Sequence, residues 1–172
     1  SFIMIFYVIL AIFAPYIAPY DPIERVGLSL EPPSKDFWFG TDNLGRDILS
    51  RVIYGSRIAL SISFLGVAVA FIIGVPLGLI SGYVGGWLDR VLTLIMDAMY
   101  VFPGLILAIA IAAVLGPGIV NISISIAVVY APTYFRVIRN QVAAVKDEMY
   151  VEAAKAVGAK RWEIILKYIF PN

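Results

Sequence analysis

Two of the residue types that most often do chemistry are missing from this sequence. It has no Cys and no His, which removes thiolate nucleophiles, imidazole bases, disulfides and the usual soft-metal ligands. No G-x-x-x-x-G-K-[ST] loop occurs, so any ATP that is used belongs to a partner. No catalytic residue and no metal site is assigned. What remains is a small set of charged and hydroxyl side chains inside long apolar runs. Asp97 is the only charge between Val91 and Leu115. At the centre of a bilayer an ionised carboxylate costs about 2.5 to 3.5 kcal/mol on insertion scales. A structural place near the membrane edge, close to Arg90 two turns earlier, is therefore preferred to a substrate or proton relay. Asn121, Ser123, Ser125, Tyr130, Thr133 and Tyr134 could line a polar path, although hydroxyls that bond their own backbone are commoner in membrane helices.

The elements that must hold these groups are apolar helices. The chain is 61% hydrophobic and 15% charged, with a mean hydropathy of +0.91. Soluble domains carry roughly 45 to 50% apolar residues, so a soluble fold is excluded. A net charge of +1 without a long basic run gives no reason to invoke nucleic acid. The pattern predicts an all-α, polytopic integral membrane protein with lipid around it. Residues 1–20 form a first transmembrane helix, truncated, since a ~30 Å hydrocarbon core needs a few residues more. A signal peptide is the rival, but no positive region leads the run, and Pro15, Pro19 and Pro22 crowd its end. Residues 58–146 carry three further crossings with their connections, at 58–88, 91–115 and 119 to about 138. Within the first of these, Gly66, Ala70, Gly74, Gly78 and Gly82 recur every four residues. Such a strip lets a second helix approach until backbones touch. Pro76, Pro103 and Pro132 disturb their helices and are read as pivots.

Residues 21–57 are the long polar connection. Pro32-Pro33 makes its first half extended. Thr41 or Asp42 is placed to cap an interfacial helix from Leu44 to Tyr54, with Leu44, Ile48, Val52 and Ile53 towards the bilayer surface. Asp47 then pairs with Arg51 at i, i+4. On residues alone, Arg46, Asp47 and Arg51 are a solvated face without chemistry.

Residues 147–172 are the charged end. Tyr150, Ala153, Ala154 and Val157 give one apolar helical face, and Gly158 can end that helix in the left-handed conformation. Trp162, Ile165, Leu166 and Ile169 begin a second helix at a new angle, and Pro171 marks its end. This elbow resembles the Glu-Ala-Ala loop of permease subunits in bacterial ATP-binding cassette (ABC) importers. Glu152, Ala153, Ala154, Gly158 and Pro171 fall on its spacing, with Tyr168 and Phe170 where the pattern has aliphatic residues. A longer stretch, Phe39-Gly40-Thr41-Asp42-Asn43-Leu44-Gly45-Arg46-Asp47-Ile48-Leu49-Ser50-Arg51 with Tyr54-Gly55-Ser56-Arg57, resembles the signature before the second spanning helix in C-type permeases of dipeptide and oligopeptide importers. Asp97 to Pro103, continued through Leu105 and Leu107, is similar to the same branch.

The resemblance implies a type I importer transmembrane domain, with four crossings here and about six in a complete subunit. The sequence lacks an initiator Met and stops at Pro171-Asn172, which reads as a fragment. A transport subunit rather than an enzyme is implied, multi-pass in a bacterial or archaeal inner membrane and moving di- or oligopeptides. Nickel or glutathione is the alternative cargo. The chain itself binds no cofactor; two ATPase subunits bind ATP and magnesium, a sister permease subunit shares the path, and an extracytoplasmic substrate-binding protein delivers the cargo. In that family the elbow docks into the ATPase from the cytoplasm, which gives Glu152 a charged contact and Gly158 the bend. Orientation follows independently from the basic residues between Arg136 and Lys167, which put the C-terminal end inside. Alternation then places the Gly116 turn outside, Arg90 inside and residues 21–57 outside. A secondary transporter would need coupling-ion groups in the bilayer beyond Asp97, and a membrane scaffold would need no elbow.

Overall fold

A computed structural model describes residues 2–171. The helices are α1 (Phe2–Ile17), α2 (Ile48–Val84), α3 (Gly86–Val101), α4 (Gly104–Leu115), α5 (Ile119–Val145), α6 (Met149–Ala156) and α7 (Arg161–Glu163), the last continuing into a π-helical turn, Ile164–Ile169. No strand is present among the described residues, only one isolated bridge between Thr41 and Asp47. By length and apolar content α2 and α5 can each cross a membrane. The bent pair of α3 and α4 makes a third crossing if counted as one, and α1 is a shorter apolar helix. The chain divides into two compact units between Phe64 and Leu65.

In the first unit the polar connection is folded tightly by its own hydrogen bonds. Asp42 accepts the backbone N–H groups of Leu44 at 2.8 Å and Arg46 at 3.0 Å, closing a turn around Asn43. The Thr41 hydroxyl donates to the Leu28 carbonyl at 2.6 Å and accepts the Glu31 N–H at 2.9 Å. Gly45 supplies the positive φ of +74° that the turn requires, and a Cβ there would strike the Gly27 carbonyl. The separate helix expected from Leu44 to Tyr54 is not formed. Residues 44–47 belong to the turn, and from Ile48 the helix runs on without interruption as α2. Its cap is Asp47 rather than Thr41 or Asp42: the Asp47 carboxylate accepts both the N–H of Ser50 at 2.8 Å and its hydroxyl at 2.6 Å. Asp47 is only 1% exposed, so it is no part of a solvated face. Arg51 consequently pairs with Asp42, which also holds Arg46 at 2.8 Å.

The second unit is built on the parallel packing of α2 and α5. An ideal Cβ at Gly74, Gly78 or Gly82 would lie 2.6 to 2.7 Å from the carbonyl oxygens of Ala131, Phe135 and Arg139 respectively. Ala70, fully buried, meets Ala127 and Ala131 in the same row. Both series climb by four residues in the same sense, so the helices run parallel, backbone against backbone. Glycine is required at these positions because any side chain would meet main chain, which cannot rotate away.

Between them the chain returns through α3 and α4. Gly85 and Gly86, both at positive φ, turn it sharply after α2. The crossing expected at 91–115 is not one helix: α3 stops at Val101, Phe102 is extended, and α4 leaves from Gly104 at 93°. Proline has no N–H to donate, and it disfavours the helical conformation in the residue before it, so the break falls at Phe102-Pro103. Pro76 and Pro132, in contrast, lie inside continuous helices. The hydroxyls of Ser123 and Ser125 donate to the carbonyls of Ile119 and Asn121, four residues back, rather than into an open path.

Candidate functional site

The elbow at 147–171 is shaped by two local devices. After α6, Val157 leaves the helix and Gly158 takes φ +84°. The Gly158 N–H bonds to the Lys155 carbonyl at 3.0 Å and the Ala159 N–H to the Ala154 carbonyl at 3.1 Å. These two bonds form the left-handed helix stop in which glycine is strongly preferred. The Lys160 N–H then bonds to the Glu163 carboxylate at 3.0 Å and starts α7. From Ile164 the helix widens to π geometry, with the Phe170 N–H reaching back five residues to the Ile165 carbonyl at 2.8 Å.

The π-turn changes which side chains are inside. Spaced by five, Ile164 and Ile169 both turn inward and are buried, whereas Trp162 and Leu166, grouped with Ile169 as one apolar set in the sequence, are exposed. On α6 the buried pair is Val151 and Ala154; Tyr150, Ala153 and Val157, expected beside Ala154, lie outside. Val151, Ala154, Ile164 and Ile169 join Val75, Leu79 and Val142 in one apolar cluster. The elbow is thus seated on the ends of α2 and α5. Glu152, Ala153, Gly158 and Pro171 are exposed, and so are Met149, Trp162, Leu166 and Phe170. Ala154 alone of the motif residues faces the cluster.

Above the elbow two ion pairs join α3 to α5. Arg139 grips Asp89 in a bidentate fork, Nε to Oδ1 at 2.5 Å and Nη2 to Oδ2 at 2.6 Å. The Ser81 hydroxyl of α2 donates to the same carboxylate at 2.6 Å, and that of Thr93 stands 3.4 Å from it. A bidentate pair with further donors fixes three helices in one geometry. One step further along, Asp97 pairs with Arg136 at 2.7 Å, not with Arg90, and the Arg136 guanidinium lies 4.3 Å above the ring of Tyr100. Neither partnership was identified from the sequence. A signal existed, because Asp89 and Asp97 stand about two turns apart on α3 while Arg136 and Arg139 share a face of α5. Matching acids on one membrane helix to bases on another would have found both.

Fold and site together define an all-helical membrane protein with a charged elbow packed on the ends of its spanning helices. Residues 74–172 match the family described as the binding-protein-dependent transport system inner membrane component, and the chain belongs to that family. Over 96% of its length it is 43% identical to a dipeptide transport system permease protein of Alkalihalophilus pseudofirmus. Over 99% it is 42% identical to a probable D,D-dipeptide transport system permease protein of Escherichia coli strain K12. A glutathione transport system permease protein of Pectobacterium atrosepticum is 38% identical over 95% of the chain. The chain spans about half the length of these curated relatives, 55%, 57% and 55% respectively.

Proposed function

We propose that this chain works as part of the permease subunit of an ABC importer that carries di- or oligopeptides across a bacterial or archaeal inner membrane. Its task is mechanical. Two partner ATPase subunits hold ATP and magnesium, and their closure moves the elbow. The elbow displaces α2 and α5, and a path shared with a sister permease subunit opens alternately to each side. A substrate-binding protein outside the membrane supplies the peptide. The observation that carries this reading is the elbow's two-sidedness: one side is fused into a close-packed cluster with Val75, Leu79 and Val142, and the other presents Glu152 among exposed apolar side chains. Close-packed interiors transmit displacement instead of absorbing it, so a partner seated on the outer side moves the spanning helices.

Peptide cargo is supported by relatives named as dipeptide permeases at 43% and 42% identity; relatives named as glutathione permeases, at 38% and 40%, make glutathione the second reading. Gly158→Val tests the coupling. A β-branched residue at φ +84° is strained, and the stop that sets the elbow angle is lost. In membrane vesicles carrying the complete transporter, dipeptide uptake and recovery of the ATPase with the permease should both fall while membrane insertion is unchanged. Normal uptake by that variant would overturn the coupling role.

A further inference from the structure

The break between α3 and α4, with the ion pair beside it, has no part in the elbow. Asp97 and Arg136 belong to segments with the character of membrane spans, yet their side chains are 53% and 45% exposed. Ionisable side chains of spanning segments almost always face a bundle interior or a water-filled space, because exposing them to hydrocarbon is costly. The neighbouring pair shows what a closed structural contact looks like in this molecule. Asp89 and Arg139 share two bonds, receive Ser81 and Thr93, and are 19% and 30% exposed. Asp97 and Arg136 share one bond, and the pair lines an open groove of about 520 Å3 together with Thr93, Tyr100 and Asn140. A second groove of about 420 Å3 also touches Tyr100 and Val101, and extends over Phe102-Pro103 to Tyr130 and Thr133. Interrupted backbone at membrane depth is tolerated where it is buried in protein or lines a wet space. Two independent features, the half-open pair and the broken helix, therefore mark the same place.

We propose that Asp97, Tyr100 and Arg136 form a binding site for the zwitterionic backbone of a short peptide, at the point where this subunit lines the transport path. The peptide carboxylate accepts from the Arg136 guanidinium, held over the Tyr100 ring, and the peptide ammonium donates to Asp97. One protein ion pair is exchanged for two protein–ligand pairs, so no charge is left uncompensated at any stage. A ligand with only one of the two charges would leave Asp97 or Arg136 without a partner. The proposal rests on the peptide-permease reading above.

The test uses the complete transporter in vesicles, with the native permease subunit bearing single cysteines on a cysteine-free background. Val101→Cys and Thr133→Cys, which line the two clefts without belonging to the binding site, should react with a membrane-impermeant cationic thiosulfonate in at least one nucleotide state. Dialanine with its binding protein should slow that reaction several-fold, and N-acetyl-dialanine amide should not. Ile72→Cys, on α2 off the glycine row and outside both clefts, is the control and should stay inert. In parallel, Asp97→Asn and Arg136→Gln should each cost about tenfold or more in dialanine uptake at limiting peptide, the order expected for a lost charged hydrogen bond. The exchange Asp97→Arg with Arg136→Asp should not restore it. Silence of both cysteines in every nucleotide state, in vesicles that still import dialanine, overturns the site and leaves the permease reading intact. Full recovery of uptake by the exchanged pair also overturns it, because the pair would then be structural. Failure of the unmodified transporter to import dialanine or any longer alanine oligopeptide overturns the peptide reading itself, while the cysteine reactions still report whether the cleft is wet.

Discussion

At the scale of single residues, the two acids of α3 differ in what their loss would do. Asp89 is held by four side-chain donor atoms from Arg139, Ser81 and Thr93, so Asp89→Asn strands a largely desolvated guanidinium. Removing one partner of such a pair costs a few kcal/mol, more than removing both. The purified complex should lose thermal stability with Asp89→Asn, and Arg139→Gln added to it should recover part of the loss; strict additivity would show that the two do not interact. Gly158 is a different case. A Cβ there meets nothing within 4 Å, so the penalty on Gly158→Ala is conformational only, on the order of 1 kcal/mol for an L-residue in the left-handed region. Alanine should accordingly be milder than valine in uptake measurements, and equal effects would point to a contact instead of a backbone cause. At the start of α2, Asp47→Ala removes a cap worth about 1 kcal/mol and leaves the buried Ser50 without its acceptor.

At the scale of elements, the row Gly74, Gly78 and Gly82 sets the distance between α2 and α5. Gly78→Val places a Cβ 2.7 Å from the Phe135 carbonyl, and a main-chain atom cannot step aside. The helices must separate, so the Asp89–Arg139 clasp between α3 and α5, with Ser81 of α2 bonded into it, should loosen as well. Cross-linking of cysteines introduced at Leu79 and Val142, both in the buried cluster and lining one cavity, by a short bifunctional thiol reagent is the measurement: its efficiency should drop in Gly78→Val. Gly55→Ala is the control, since nothing lies within 4 Å of that position and a helical alanine is favourable. A cross-link as efficient in Gly78→Val as in the unmodified chain would show that the row does not set the spacing. The π-turn at Ile164–Ile169 acts at the same scale. By bringing residues five apart to one side it seats Ile164 and Ile169 and releases Trp162 and Leu166 outward. That makes the outer side of the elbow apolar enough to bind a partner.

At the scale of the whole molecule, the direction of insertion decides whether the elbow can meet an ATPase at all. The sequence contains no Cys, so single substitutions report cleanly. Lys155→Cys should label only from the cytoplasmic side and Asn43→Cys only from outside; the reverse pattern would remove the coupling mechanism. Both positions are suited to the experiment, because Lys155 is exposed on α6 and Asn43 is exposed at the tip of the folded connection.

What the sequence determined by itself is whatever a few neighbouring residues can fix. Apolar runs required helices in lipid, the four-residue spacing from Gly66 to Gly82 drew the row on α2, and Gly158 with its flanking helical residues defined the stop. These are statements about one stretch of backbone, and hydropathy or φ preference suffices for them. Other features arose only when distant segments met. Asp97 turned from Arg90, its near neighbour in sequence, to Arg136, and Asp89 found Arg139, separations of 39 and 50 residues. Asp47, which looks solvent-exposed in a charged run, is buried because the connection folds back over it through bonds from residues 26–31 to residues 41–45. Which faces of α6 and the π-turn are inside was likewise decided by the ends of α2 and α5, since a short helix with apolar residues on two sides has no preference of its own. Pairing and burial depend on which surfaces the fold brings together, and a local pattern carries that information only when one side of an element is unambiguously the apolar one.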